Sequence, residues 1–469
     1  MENFSKIISI TNPFYEQTQN YLMNLKNIKM KKLTYLLLTL LISGFSGCND
    51  GEVIPPIPED IPMRKSLTDE ELLDKVQETT FGYFWDYADD ASGLAQEGSF
   101  TTGTVTTGGS GFGIACFPAA VERGWVTRSE AVVRLQKILG FLEITEKYHG
   151  AFSHWYYNTG KTRPFFTEDN GGDIVETAFL IQGLLICRQY FSGTDTAETD
   201  VRNRITALWE AVEWDWYTQG KEAITWHWSP NYGFQIDHTV AGWNEALILY
   251  VLAAASPTHT ISKNVYDEGW AKSGAIKNTA SYYGIQLPLG ENLGGPLFFA
   301  HYSFIGLDPR GLSDTYASDY FTQNKAHSLI NYEYCKANPK GYKGYSENSW
   351  GLTASKNHNG YSAHSPTNDL GVITPTAALS SFPYTPEEST QAMEYFYYKV
   401  GHKIWGKYGF YDAFSEHHDW YAKSYLAIDQ GPIVAMIENY RTQLLWNLFM
   451  QDDDIKNGLK KLGFTSPKL

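Results

Sequence analysis

Three groups of acidic residues stand at the starts of segments that are predicted to be apolar helices. The first group is Asp169, Asp173 and Glu176, around the start of the run Ile174 to Cys187, with Arg163 upstream. Asp173 and Glu176 are three residues apart and would share one face of a first helical turn. Because a helix N-terminus also favours acids as caps, this pair indicates a capping box and a functional site about equally.

A single glutamate, Glu245, enters the second apolar segment, Ala246 to Ala255. Burying a charged carboxylate among apolar side chains is costly, so this group lies at the mouth of a pocket or is protonated there. Burial would raise its pKa, which is what a general acid requires. We therefore expect a functional role for Glu245.

Asp429 precedes the third apolar segment, with Pro432 in the predicted first turn of the helix. An aspartate in this position is typical of an N-cap. The positive end of the helix dipole would keep the carboxylate ionised, which is also the state that a general base requires. Together, Glu245 and Asp429 would supply one proton donor and one proton acceptor.

Aromatic and histidine residues recur in the Gly-rich loops around these acids. Flat aromatic faces stack on sugar rings, while sugar hydroxyl groups need hydrogen-bond donors and acceptors. Taken singly, each aromatic is more often a core residue, but their repetition in loops favours a carbohydrate site. The candidate substrate-binding residues in these loops are Trp226, Trp228, His301, Tyr302, His358, Tyr361 and Trp420.

The elements that must position these residues are predicted to be helices from Thr68 onward. Capping boxes are predicted for the pairs Thr68/Glu71, Thr127/Glu130, Asp195/Glu198 and Thr385/Glu388. Amphipathic segments alternate with segments that are apolar on all sides and are expected to be inner helices, namely 174–187, 246–255 and 433–449. This alternation predicts an all-α fold, a single (α/α)6 barrel or toroid of about ten to twelve helical segments over residues 67–469. The long aromatic loops 150–172, 218–239 and 340–374 would lie over its open end.

The N-terminal residues predict where the protein is located. Residues 1–47 are predicted to be a signal peptide that starts at Met30, because their apolar run of about 10 residues is too short to cross a bilayer. Cys48 follows two small residues as in a bacterial lipobox, so we expect it to carry a lipid, with residues 48–66 as a flexible tether. The predicted location is the cell envelope, with a lipid anchor in the outer membrane. The alternative is a plain secretory signal with an incidental cysteine.

Charge and composition exclude several classes of function. The chain of 469 residues carries a net charge of −15 with no basic run, so nucleic acid is not an expected partner. Hydrophobic residues make up 43% of the chain, which is enough for a sizeable core. Neither a nucleotide-binding motif nor the Cys and His spacing of a zinc site is present in the sequence. Neither a cofactor nor a metal ion is therefore predicted.

Several longer motifs resemble those of one known family. These motifs are Glu168–Asp173, Ser349–Ser355, Gly360-Tyr361 and Ile373–Pro386. Over about residues 70 to 462 the chain resembles the bacterial glycoamylase-like proteins, and in particular glycoside hydrolase family 144, the endo-β-1,2-glucanases. The resemblance implies a single (α/α)6 barrel with a pocket or cleft at the open end of its inner ring.

The resemblance also implies roles for the acids. Glu245 matches the family's general acid and Asp429 its base, in an inverting hydrolysis of β-1,2-glucan. Asp169, Asp173 and Glu176 match the acidic cluster that lines the substrate site. Two alternatives stay open, namely hydrolysis of another α- or β-glucan from the chain end, and a non-catalytic surface lipoprotein that binds glycans. A binding protein would gain nothing from a glutamate in an apolar helix, so Glu245 distinguishes it from an enzyme.

Overall fold

The structure, a computed structural model, describes residues 65–469 of the chain. The predicted signal peptide, the lipidation of Cys48 and the tether as far as residue 64 lie outside the described residues. Within residues 65–469, no helix is both long and apolar enough to cross a bilayer. Every candidate site residue except Cys48 lies in this described part.

Helices account for most of the regular structure. The α-helices are α1 (Asp69–Trp85), α2 (Thr107–Ala115), α3 (Phe117–Glu122), α4 (Arg128–Ile144), α5 (Ile174–Tyr190), α6 (Thr196–Glu210), α7 (Leu247–Ala255), α8 (Tyr320–Ala337), α9 (Pro375–Leu379), α10 (Pro386–Glu394), α11 (Gly401–Ile404), α12 (Ala427–Arg441), α13 (Leu444–Phe449) and α14 (Asp453–Leu462). Short 3-10 or π turns lie at Trp216–Thr218, Val265–Trp270, Lys272–Gly274, Leu297–Ala300, Ser303–Ile305 and Tyr395–Lys399. The prediction of a mainly helical fold is confirmed.

Short antiparallel strands occupy the long loops, which the sequence analysis did not predict. They are β1 (Thr104–Thr106), β2 (Lys147–Tyr148), β3 (Ala151–Phe152), β4 (Trp155–Tyr157), β5 (Thr162–Arg163), β6 (Gly172–Asp173), β7 (His227–Trp228), β8 (Ser281–Tyr282), β9 (Ile285–Gln286), β10 (Ala354–Asn357), β11 (Gly360–Ala363), β12 (Trp405–Gly406), β13 (Gly409–Phe410), β14 (Phe414–Ser415) and β15 (Trp420–Tyr421). The strand β4 pairs with both β1 and β5, and the other strands form two-stranded pairs.

The predicted helical segment 433–449 is divided in two. The helix α12 ends at Arg441, and α13 begins at Leu444. Gln443 between them has a φ of 65°, a left-handed conformation that cannot continue a right-handed helix. The side-chain oxygen of Asn439 accepts a hydrogen bond from the Trp446 amide, 3.2 Å away, so α13 is still tied to α12 across the break.

Two of the four predicted capping boxes are complete. Thr68 begins α1 and Thr127 begins α4, each with reciprocal hydrogen bonds to a glutamate three residues later. Asp195 caps α6, but the carboxylate of Glu198 pairs with an arginine of α4 and does not close the box. Thr385 makes no capping hydrogen bond to α10. A tertiary partner therefore took the Glu198 carboxylate, whereas the Thr385 hydroxyl donates to the nearby Ser381 carbonyl oxygen.

Four buried helices, α2, α5, α7 and α12, form the centre of the fold. Every residue of α2 and α7 is buried, as is α5 as far as Cys187. The helix α5 packs against α2 and α7, and α2 packs against α12. These helices include the predicted inner segments. A candidate acid lies at the start of α5, α7 and α12, and an amide at the start of α2 donates to Glu176.

Two glycines allow α2 and α5 to cross closely. A Cβ atom at Gly111 would lie 2.4 Å from the carbonyl oxygen of Phe179 in α5. A Cβ atom at Gly183 would lie 2.0 Å from the carbonyl oxygen of Gly111. Both distances are shorter than any normal contact, so the crossing depends on the absence of side chains at both positions.

Candidate active site

Asp173 is the residue around which the acidic cluster is built. It is the N-cap of α5, as predicted, and its Oδ1 accepts hydrogen bonds from the Val175 and Glu176 amides at 3.0 and 2.9 Å. Trp226 Nε1 donates to the same oxygen at 2.9 Å, and His154 Nδ1 lies 2.9 Å from Oδ2. Burial opposes ionisation, but the hydrogen bond from His154 and the other donors outweigh it and lower the pKa of Asp173. Asp173 is therefore a buried anion.

Glu176 does not close the predicted capping box with Asp173. Its Oε2 instead accepts a hydrogen bond from the Gly108 amide at the start of α2, 2.7 Å away. A Cβ atom at position 108 would lie 2.4 Å from that oxygen, so the glycine is required for this approach. Burial, with the charge of Asp173, raises the pKa of Glu176 to about 7, although the charge of His154 opposes the shift. This carboxyl group can therefore gain or lose a proton near neutral pH.

Two histidines that the sequence analysis did not assign complete this cluster. His154 keeps its positive charge although burial opposes it, because Glu176 and the hydrogen bond to Asp173 raise its pKa to about 10. His227 lies opposite Asp173 in the β6–β7 pair, and burial lowers its pKa to about 4. One histidine is thus a cation among the acids, and the other is neutral.

Asp169 is enclosed beside these histidines. It is 2% exposed, and neither of its carboxylate oxygens has a hydrogen-bond donor among residues 65–469. His227 Nε2 lies 3.4 Å from Asp169 Oδ2. Burial and the charge of Asp173 raise the pKa of Asp169 well above its usual range. The protonated acid can offer a hydrogen bond to a ligand.

A cation could be held by His154, Asp169 and Asp173, whose ligand atoms lie within 4.8 Å of one another. In this arrangement, however, His154 Nδ1 directs its proton at Asp173, 2.9 Å away, and supplies the positive charge itself. A metal ion would have to displace that proton, because an imidazole nitrogen binds a metal only when it is deprotonated.

Glu245 lies two residues before α7 and is 7% exposed. Ser303 holds the chain here, because its Oγ donates to the Glu245 carbonyl oxygen at 2.5 Å and accepts from the Ile248 amide at 3.0 Å. Burial, assisted by the charges of Glu176 and Asp173, raises the pKa of Glu245 to about 7. The sequence-based expectation of a raised pKa agrees with this environment.

Asp429 differs from its prediction in both position and charge. Leu426 is the N-cap of α12, so Asp429 is the third helical residue, and Pro432 lies inside the helix and not in its first turn. Burial and the adjacent carboxylate of Asp412 raise the pKa of Asp429 well above its usual range. The expectation that the helix dipole keeps Asp429 ionised is therefore wrong, because the partial charge of a helix end is outweighed by burial beside a second acid.

Two tyrosines connect the acids of α5 and α7 with Asp429. Burial, then the charges of Asp429, Tyr361 and Glu245, raise the pKa of the Tyr302 phenol. The pKa of the Tyr361 phenol is also raised, because its hydroxyl is enclosed and because Asp429 and Asp412 are negatively charged when ionised. Tyr361 is nevertheless 46% exposed, so its ring also faces solvent. Both predicted tyrosines thus lie among the acids.

Two further predicted residues lie next to the cluster. Trp226 donates to Asp173, as described above. The Arg163 guanidinium lies 5.9 Å from the ring centre of Trp155 and 5.8 Å from that of Tyr157. It lies on β5, which pairs with β4 next to His154.

The other four predicted binding residues pack against groups outside this cluster. Trp228 lies among aromatic rings, with its ring centre 5.5 Å from that of Trp216. His301 is 2% exposed, its Nε2 lies 3.0 Å from Ser381 Oγ, and burial lowers its pKa to about 3.

The last two lie in neighbouring loops. The ring centre of His358 is 3.9 Å from that of His418, and Trp420 lies half-buried on β15.

The residues predicted from the sequence did not include the two histidines, Asp412, or Glu97, whose charge contributes to the raised pKa of Asp429. His227 had a signal, since it stands between Trp226 and Trp228, and its ring stacks on that of Trp226 with the ring centres 5.4 Å apart. Asp412 follows the short strand β13, and no spacing in the sequence connects it with Asp429. Only the tertiary fold brings these residues together.

Comparisons with known proteins identify the family of this chain. The glycoamylase family model, described as "putative glucoamylase", matches residues 237–453. A solved structure of that description from Bacteroides uniformis is 55% identical, covers 87% of this chain and 100% of that one, and has a TM-score of 0.85. An endo-β-1,2-glucanase from Chitinophaga pinensis, in complex with sophorotriose and glucose, is 54% identical, covers 86% and 100% of the two chains, and has a TM-score of 0.84.

A curated relative from Parabacteroides distasonis is named exo β-1,2-glucooligosaccharide sophorohydrolase (non-reducing end). It is 46% identical over 420 residues, which are 84% of this chain. The chain spans only 58% of the length of that relative. The two solved structures, in contrast, are covered over their full length at more than half identity. The chain therefore belongs to the glycoamylase-like family of glycoside hydrolases.

Proposed function

We propose that this site hydrolyses β-1,2-glucan, with Glu245 as the general acid and Asp429 as the general base. The observation that carries the proposal is that both acids are buried, and that the charges of both add to burial in raising the pKa of one phenol, that of Tyr302. They come from the starts of two different buried helices, α7 and α12. Two carboxyl groups held by separate elements on either side of a bond are what hydrolysis of a glycoside requires.

Glu245 would donate its proton to the glycosidic oxygen as the bond from that oxygen to the anomeric carbon breaks. A pKa of about 7 keeps much of this carboxyl protonated up to neutral pH. Asp429, once ionised, would take a proton from a water molecule while the oxygen of that water bonds to the anomeric carbon. Attack by water from the opposite face inverts the configuration at this carbon, so inversion is the proposed stereochemistry.

The proposed substrates are β-1,2-linked glucans and sophorooligosaccharides. The support is that two relatives carry this linkage in their names, one with endo and one with exo action. The acids, tyrosines and Trp226 would supply the donors, acceptors and ring faces that a sugar needs. Product analysis decides between the two modes of action, since an exo enzyme releases short products of uniform length from the start.

We also propose an architecture and a location for the enzyme. The helices α2, α5, α7 and α12 would belong to the inner ring of an (α/α)6 barrel, which is supported by their burial and by the acids at the N-terminal ends of α5, α7 and α12. A lipid on Cys48 would anchor the enzyme in the outer membrane. The support for the anchor is the short apolar run and the two small residues before Cys48.

Reducing-sugar release from linear and cyclic β-1,2-glucan, beside starch, laminarin and cellulose, tests the proposal. We expect release from the β-1,2-glucans alone, and none from Glu245→Gln. Release from another glucan would contradict the linkage. Binding of glucan without release by the wild type would support the non-catalytic alternative.

A further inference from the structure

The carboxyl groups of Asp412 and Asp429 meet beside the start of α12. They are 3% and 2% exposed, and the two side chains are within hydrogen-bonding range of each other. Asp412 follows β13, and its backbone amide donates to the Ser424 carbonyl oxygen at 3.0 Å. The loop that carries Asp412 is therefore fixed against the chain segment that leads into α12.

Only one oxygen of this pair has a donor from elsewhere. Asp412 Oδ2 accepts a hydrogen bond from the Lys356 amide, 2.8 Å away. Asp412 Oδ1 and both carboxylate oxygens of Asp429 are buried, and no N–H or O–H group of residues 65–469 donates to them. Three acceptor oxygens are thus enclosed with only each other as partners.

A carboxylate has only acceptor oxygens, so contact between two carboxylates becomes a hydrogen bond only when one of them carries a proton. If neither carried one, two negative charges would be buried side by side at a high cost in free energy. If both carried a proton, neither acid would be charged. The Lys356 amide would then donate to a neutral acid, which is a weaker hydrogen bond than one to a carboxylate. A single proton between the two acids pairs two of these three oxygens and leaves one negative charge, on the acid that also accepts from the Lys356 amide.

We propose that Asp412 and Asp429 hold one proton between them in the free enzyme, and that Asp412 is the positioning residue that decides when Asp429 becomes a carboxylate. The amide of Lys356 stabilises charge on Asp412, so the proton resides on Asp429 at rest. The role in catalysis rests on the proposed function, because it takes Asp429 as the base. The shared proton does not depend on that function.

The groups that face the pair agree with this assignment. Glu97 adds a negative charge that opposes ionisation of both acids, the Tyr361 phenol faces both, and the Tyr302 phenol faces Asp429. The positive charge of Lys356 favours ionisation of Asp412. Burial lowers the pKa of Lys356 to about 8, although the charge of Asp412 opposes this shift. The positive charge is thus placed on the side of Asp412, which favours the same distribution of the proton.

Isotope-edited infrared spectroscopy of the free protein at neutral pH, with ¹³C-labelled aspartate carboxyl groups, counts protonated aspartates without substrate. We expect Asp412→Asn and Asp429→Asn each to remove one carboxylic acid band. The double variant should remove that same single band. Asp369→Asn is the matched control, because Asp369 is also 3% exposed but accepts from Tyr334, Tyr345 and the Gly371 amide.

Three infrared results would overturn the shared proton. Loss of the band only in Asp429→Asn would assign the proton to Asp429 through burial alone. Loss of two bands in the double variant would mean that each acid is protonated separately, and no loss in any variant would mean that both are ionised. Asp412→Ser replaces Asp412→Asn in the same comparison if the asparagine variant does not fold.

The pH dependence of kcat/KM on β-1,2-glucan tests the role in catalysis. We expect the acidic limb of Asp412→Asn to move to lower pH by about one unit or more, because the neighbouring charge no longer opposes ionisation of Asp429. The limb of Asp369→Asn should not move. An unmoved limb in Asp412→Asn would overturn the positioning role, whereas a wild type without any hydrolysis but with the expected infrared result would contradict the proposed function alone.

Discussion

Individual residues in this site are distinguished by which of them carry a proton. Asp173 is an anion with four donors around it, whereas burial raises the pKa of Glu245 to about 7. The two acids have the same chemistry in water and differ only in their surroundings. Different protonation states within one site are what allow one carboxyl group to donate a proton while another accepts one.

Replacement of Glu245 by glutamine tests its role as the acid. The amide keeps the shape of the side chain but cannot donate a catalytic proton. We expect Glu245→Gln to lower kcat on the order of 10² to 10⁴-fold and to leave binding of glucan oligosaccharides nearly unchanged by calorimetry. Activity like that of the wild type, with binding intact, would show that Glu245 is only a partnered pocket residue.

The same variant also tests the raised pKa of Glu245. A carboxyl group whose pKa rises from 4.5 in the unfolded chain to about 7 in the folded chain destabilises the folded protein increasingly as the pH rises through this range. Glu245→Gln removes this effect. The free energy of unfolding of the variant, minus that of the wild type, should therefore increase by about 3 kcal/mol from pH 4 to pH 8.

Denaturant unfolding at several pH values measures this difference. Glu210→Gln serves as the control, because Glu210 is exposed at the end of α6. A difference between Glu245→Gln and the wild type that does not change with pH would contradict the raised pKa.

Among the elements, the starts of buried helices determine where the acids lie. The Gly108 amide at the start of α2 reaches Glu176 only because α2 and α5 cross at Gly111 and Gly183. The helix α2 also packs against α12, which carries Asp429. The positions of the acids therefore depend on how closely the buried helices that carry them pack together.

Gly111→Ala tests this dependence. Its Cβ atom would meet the carbonyl oxygen of Phe179 at 2.4 Å, so α2 and α5 must separate. We expect a loss of about 1–3 kcal/mol in the free energy of unfolding, together with reduced kcat. Gly140→Ala in α4 is the matched control, because its nearest neighbour is a flexible arginine end at 3.4 Å, and it should be neutral or slightly stabilising. Equal unfolding midpoints for the two variants would contradict the close crossing.

The sequence predicted the elements better than the contacts between them. Apolar runs beginning near Asp173, Glu245 and Asp429 located three buried helices, because the periodicity of apolar residues is a local property. Partners such as His154 and Asp412 come from distant parts of the chain, and no local spacing encodes their approach. The charge of Asp429 was predicted wrongly for the same reason, since the decisive neighbour, Asp412, was unknown.

The whole chain is expected to be held at a membrane by its N-terminal lipid. Residues 65–469 contain no helix that could span a bilayer, and the predicted anchor at Cys48 lies outside the described residues. One acyl-modified cysteine before a Pro-rich tether would leave the site free to meet a polymeric substrate.

Cys48→Ser tests this anchor in the full chain expressed in a bacterium that processes lipoproteins. We expect the variant to move from the membrane fraction to the soluble fraction, with unchanged activity on soluble glucan. Mass spectrometry of the wild type that finds an unmodified Cys48, or a mature N-terminus elsewhere, would contradict the prediction.

The stereochemistry of the first product tests the central claim most directly. If Glu245 protonates the leaving oxygen while Asp429 activates water, one displacement at the anomeric carbon inverts its configuration. Proton NMR of early hydrolysis of β-1,2-glucan should then show the α-anomer of the new reducing end before mutarotation. Early accumulation of the β-anomer would instead require a covalent intermediate on the enzyme, and Asp429 could no longer be the base.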